Sequence, residues 1–268
     1  MLSLQNVIDT CRCMFRSLTL DIWRRIDSVY KKEEGLNGRA LCLFVTAAAV
    51  LLTAQFFCVT DFITSFPAVQ QLLQDLPHGP LYPLLYWALT NAVNYSLLPL
   101  CVIIYIFRAD LKDFGMQIER GRELLVIVVV ILAAVLPFII MASTTEPFLR
   151  RYPFYRDEFY TIGSLLLWEA AYGLQFAALE FFFRGFMLFG LARFIGSYAI
   201  YVMALPYTML HFTKPLPEAV AAFFAGIILG TLALHTRSLY GGIVIHITVA
   251  WSMDLLSLYH RGILSRLL

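Results

Sequence analysis

The chain has 268 residues, of which 60% are hydrophobic and 14% charged, and its mean hydropathy is +0.75. Soluble domains carry about a quarter charged residues, so this composition excludes an ordinary soluble domain and implies a polytopic membrane protein. A net charge of +2, from 20 Lys and Arg against 18 Asp and Glu, is too slight for a nucleic-acid partner.

Residues 1–38 form the first unit. Leu4, Ile8, Cys11, Phe15, Leu18, Ile22, Ile26 and Val29 recur every three or four residues, with Arg12, Arg16, Arg24 and Arg25 between them. That period predicts a basic amphipathic helix, lying in the membrane interface or packed on the protein's own cytoplasmic face. The stretch lacks the compact apolar segment of a cleavable signal peptide.

Residues 39–268 read as a transmembrane helical bundle. A bilayer core about 30 Å thick needs roughly 20 apolar residues per helix, which places candidate spans near 41–62, 82–107, 123–142, 161–190, 197–213, 218–235 and 239–258. The expected fold is therefore all-α, with about seven transmembrane helices and the N-terminal amphipathic helix. The run at 161–190 exceeds one span, and that at 197–213 is short. "KPLPEA" (214–219) reads as a loop and helix start, with Pro217 and Glu218 in the first turn. Gly226 and Gly230 form a Gly-x-x-x-Gly that favours close helix packing. With the N-terminus in the cytoplasm, thirteen Lys and Arg fall inside and six outside, with Arg184 within a span, as the positive-inside rule favours. Cys11, Cys13, Cys42, Cys58 and Cys101 have no metal-ligand or disulfide spacing.

Ionisable residues inside spans cost about 2.5–3.5 kcal/mol each on insertion scales, and so mark sites. They gather in the C-terminal half: Glu169, Glu180 and Arg184 on the fourth run, His211 at the end of the fifth, His246 and Asp254 on the seventh. Glu180 and Arg184 have the i, i+4 spacing of an intrahelical ion pair. A carboxylate and two imidazoles support water activation, the carboxylate accepting a proton while the imidazoles orient the water or stabilise an oxyanion. No cofactor is expected; a divalent metal held by Glu180, His211 and His246 is the chemical alternative, although no His-Glu-x-x-His is present.

"EFFFRGF" (180–186), "YTMLH" (207–211) and His246 within "SLYGGIVIHITVA" resemble, in order, the three motifs of the CAAX protease and bacteriocin-processing family of intramembrane glutamic endopeptidases, which includes the type II CAAX prenyl proteases. The resemblance covers about residues 161–258, and "FRADLKDFGM" (107–116) is similar to a connection common in that family. It implies an intramembrane endopeptidase of a bacterial inner membrane, acting on a peptide or protein substrate in the membrane, with lipid as its other partner. Glu180 would be the general base, His211 and His246 the water and oxyanion partners, and Arg184 the group that holds Glu180. Tyr207 stands at the family's Phe position. Leu179 replaces the first motif glutamate, and Ala250 replaces the last Asn or Asp, with Asp254 one turn further as its expected stand-in. Glu169, three turns before Glu180, is expected to line the cavity mouth. These two replacements leave a non-catalytic membrane scaffold or immunity-type protein as the alternative.

Overall fold

The computed structural model describes residues 20–30 and 37–267, and no strand occurs among them. In chain order the helices are α1 (Leu20–Tyr30), α2 (Gly38–Phe56), α3 (Thr60–Thr64), α4 (Pro67–Asp75), α5 (Leu81–Phe107), α6 (Gly121–Ser143), α7 (Glu146–Arg151), α8 (Ile162–Ile195), α9 (Tyr198–Met209), α10 (Leu216–Thr236), α11 (Tyr240–His260) and α12 (Leu264–Leu267). Six of them, α2, α5, α6, α8, α10 and α11, are long and apolar enough to cross a membrane.

The seventh expected span is α9, whose 12 residues rise only about 18 Å. It nevertheless carries the chain from one side to the other. At its start Ser197 donates its backbone N–H to Asp27 of α1 (2.6 Å). Beyond its end Lys214 pairs with Glu218 (2.7 Å), and Glu218 accepts from the Tyr152 hydroxyl (2.8 Å) in the segment between α6 and α8. The side of α1 is the near side below, and that of Tyr152 the far side. So short a helix serves because α10 lies close against it. A Cβ placed on Gly226 would meet Ala204 at 3.1 Å, and one on Gly230 would meet Met203 at 3.1 Å. The Gly-x-x-x-Gly therefore packs helices together, as its spacing predicts.

The centre of the bundle is α8. Its Thr161–Ser164 capping box satisfies the first turn, and its 34 residues extend about 51 Å, so its last turns project past the near side. The most apolar window of α8 is 83% buried, against 17% for α6, which faces lipid. Phe182, Phe183, Phe186 and Leu188 are wholly enclosed by a cluster that includes Val50 of α2, Ile103 of α5, and Ile200 and Met203 of α9. A second cluster at the far end joins Leu81, Tyr155, Trp168, Tyr172 and Ala250. The 107–116 connection folds through a 3₁₀ turn at Leu111–Phe114. Gly115 (φ +82°) then accepts a hydrogen bond from the Leu239 N–H, and a side chain there would strike the Phe189 ring at 2.5 Å.

Helix α1 rests on the bundle's own near face. Trp23 donates its indole N–H to Thr231 (3.3 Å), the Tyr30 hydroxyl donates to the Leu234 carbonyl (3.3 Å), and Ile26 is buried. The earlier part of the amphipathic pattern, Leu4 to Leu18 with Arg12 and Arg16, lies outside the described residues, as do Cys11 and Cys13. Cys42, Cys58 and Cys101 are free thiols.

Seven crossings have a direct consequence. In a cysteine-free background, single cysteines at Lys112 and Arg237 are expected to react with an impermeant maleimide from one side of the membrane, and those at Arg150 and Lys214 from the other. Labelling of Lys214→Cys together with Lys112→Cys would remove α9 as a crossing.

Candidate functional site

Glu180 and Arg184 are fully buried in α8, and the Arg184 Nη1 donates to Glu180 Oε1 at 2.8 Å. The same Oε1 lies 2.8 Å from Nδ1 of His246 on α11. Helix α9 supplies the floor, its Tyr207 ring lying 4.2 Å from the Arg184 guanidinium carbon. Phe176, one turn before Glu180, packs its ring 4.2 Å from the imidazole of His246. The carboxylate is thus fixed by a cation from its own helix and an imidazole from another, while aromatic faces exclude competing polar groups.

The backbone under this pair is unusual. Phe181–Phe189 winds as a π-helix, and all nine residues are buried; such segments occur preferentially at functional sites. Near-side depth follows from Gly185, where a Cβ would approach the Phe114 carbonyl at 3.3 Å and Leu239 at 3.4 Å. Glu180 is five residues deeper, or about 8 Å along the helix. The site therefore sits in the near half of the bundle.

Both imidazoles have one nitrogen committed to an acceptor. His246 Nδ1 faces the carboxylate, and His211 Nδ1 lies 3.0 Å from the Tyr207 carbonyl. Each partner accepts, so each Nδ1 carries the proton and each Nε2 is left as an acceptor when the ring is neutral. Three polar atoms of the ion pair, Glu180 Oε2 and Arg184 Nε and Nη2, are buried without a hydrogen-bond partner among the described residues. Buried groups of this kind are normally satisfied by water or ligand.

His211 joins this core through Tyr207. Its ring packs on Tyr207 (5.1 Å), which also contacts His246 (6.1 Å). Among the described residues no hydrogen bond joins His211 to Glu180 or His246, and no group of three His, Cys, Asp or Glu is placed to hold a metal. The expected metal set Glu180, His211 and His246 therefore does not assemble; Glu180 and His246 are bound to each other instead.

Asp254 and Glu169 occupy the far half. Asp254 is buried and accepts from Trp168 Nε1 (2.8 Å) and the Phe154 N–H (3.3 Å). Its carboxylate thus ties α11 to α8 and to the far-side loop, and it does not stand in for the family's Asn or Asp beside His246. Glu169 has both carboxylate oxygens buried and without a partner among the described residues, with its carbonyl accepting from Trp251 Nε1 (3.0 Å). It lies 11 residues from Glu180, about 16 Å along the helix, and lines no mouth to that site. Leu179 packs into the main apolar cluster and Ala250 into the far one.

Residues 124–252 match the sequence model of the family described as type II CAAX prenyl endopeptidase Rce1-like. That segment, just under half of the chain, is similar to this family. No curated protein and no solved structure matches the chain. The matched segment contains every member of the buried group, and the six long apolar helices make the chain an integral membrane protein.

Gly242 is the participant that sequence reasoning passed over. A Cβ built on it would meet Glu180 Oε2 at 2.5 Å, closer than any side chain can sit. The Gly241-Gly242 pair one turn before His246 was the available signal, and only the approach of α8 gives it meaning.

Two outcomes are expected in thermal unfolding of the purified protein. Gly242→Ala should cost about 1–3 kcal/mol by overpacking. Arg184→Ala should cost about 3–5 kcal/mol because it leaves a buried carboxylate unpaired, whereas Glu180→Gln combined with Arg184→Met should cost less than Arg184→Ala alone. Equal losses for the single and double variants would show that the ion pair is not what stabilises the site.

Proposed function

We propose that the protein is an intramembrane endopeptidase that hydrolyses a peptide bond in a membrane-associated substrate, with Glu180 as the general base. The observation that carries this reading is the fully buried carboxylate of Glu180, held through Oε1 by Arg184 and His246 while Oε2 has no partner among the described residues. A water at Oε2 would give up a proton to Glu180 as its oxygen adds to the scissile carbonyl carbon. Glu180 would then pass that proton to the amine as the C–N bond breaks, leaving a carboxylic acid and a free amine.

The imidazoles orient rather than donate. With Nδ1 protonated, the Nε2 lone pair of His246 accepts the second hydrogen of the attacking water, the first going to Glu180, and His211 Nε2 is left to accept from the substrate. The free donors beside the carboxylate are Nε and Nη2 of Arg184, so the developing oxyanion is assigned to the guanidinium, a role such preorganised donors fill well. Leu179 leaves Glu180 as the single motif carboxylate. The match of residues 124–252 supports a peptide substrate with a lipidated C-terminus, a propeptide or a membrane-protein segment as the classes to test. The positive-inside rule makes the near side cytoplasmic, and a bacterial inner membrane remains the proposed location.

The test compares new protein termini in membranes carrying the wild-type chain or Glu180→Gln at equal levels. Termini specific to the wild type are expected, with cleavage falling about 10²–10⁴-fold in the variant. Identical profiles would favour a scaffold built on the same bundle, with Leu179 and Ala250 as marks of a lost site.

A further inference from the structure

A second polar recess lies at the near-side end of the bundle, away from Glu180. It encloses about 270 Å³ and is lined by Tyr30, Lys112, Asp113, Gln117, Arg193 and Arg237, with Val29 and Phe189 as its apolar wall. Three cations face one lining acid. Arg193 pairs with Asp113 at 3.3 Å and Arg237 with Glu119 at 3.5 Å, both of these acids being substantially exposed. Lys112 is exposed, and no ion pair to it is found among the described residues. The recess therefore keeps a positive excess even after its internal pairs are counted.

Its place in the fold is as telling as its charge. Arg237 is the left-handed C-cap of α10 (φ 56°), so the recess sits where α10 ends and the connection to α11 turns back. Phe189 lies nine residues beyond Glu180, about 13 Å further towards the near side. Tyr30 and Trp23 of α1, with Tyr198 and Tyr201 at the start of α9, surround this level with amphipathic rings, the pattern of a membrane–water boundary. Cations from three separate parts of the chain thus meet at headgroup depth beside an apolar wall.

We propose that this recess binds a phosphate group, with the phosphodiester of an anionic membrane lipid as its ligand. Arg193 and Arg237 would each present guanidinium donors to phosphate oxygens, Lys112 would add a point charge, and acyl chains would run along the apolar wall. Free phosphate is the other source of the same chemistry. The site is independent of peptide hydrolysis, and its function is to seat α1 and the 111–117 turn on the bundle.

The test uses the full chain in detergent, measuring thermal protection by phosphatidylglycerol, phosphatidylcholine and inorganic phosphate. Protection by phosphatidylglycerol but not phosphatidylcholine is expected, with affinity about fivefold weaker for each of Lys112→Gln and Arg237→Gln. Lys112→Gln touches no ion pair and serves as the variant that folds normally. Protection by inorganic phosphate to the same extent, lost in the same variants, would keep the site and assign it a free phosphate ligand. Lipid protection unchanged in both variants, or equal protection by phosphatidylcholine, would overturn the proposal.

Discussion

The buried contact between Glu180 and Arg184 constrains everything around it. Two ionised groups removed from water are stabilised only when their geometry is good and their remaining donors and acceptors are met. Here the pair sits within an otherwise apolar π-helical segment, and His246 must be brought from α11 to share Oε1. That requirement explains why α8 is the central helix, enclosed by α2, α5, α9, α10 and α11, and why Gly242 has no side chain. It also explains the aromatic lining. Phe176 and Tyr207 fill space without competing for the carboxylate, and Tyr207 offers its face to the guanidinium.

The polar groups divide into two layers with different roles. Near-half residues Glu180, Arg184, His246 and Tyr207 form one contiguous group with hydrogen-bonding atoms left over, the condition for acting on a ligand. Far-half Asp254 has its oxygens engaged by Trp168 and Phe154 and belongs to the packing of the far-side loop. A carboxylate whose acceptors are used up in tying helices together has little left for chemistry. The separation of these layers by several helical turns is what distinguishes a candidate base from a structural acid carried on the same face.

Residue type and spacing alone determined much about this protein. Apolar runs of bilayer length fix an all-helical membrane fold, because a chain in lipid must satisfy its backbone internally. The rarity of ionisable residues in spans singled out Glu180, Arg184 and His246, and the three ordered motifs led to the family that residues 124–252 match. Local spacing also gave the Glu180–Arg184 pair, since i and i+4 are neighbours on a helix whatever surrounds them. What only the tertiary structure decided were relations between helices. Periodicity could not say that Asp254 faces Trp168 rather than His246, that His211 and His246 both pack on Tyr207, or that Gly242 touches Glu180. Those facts depend on the rotation and depth at which α8, α9 and α11 pack, and a one-dimensional pattern carries the face of each helix but not its partner.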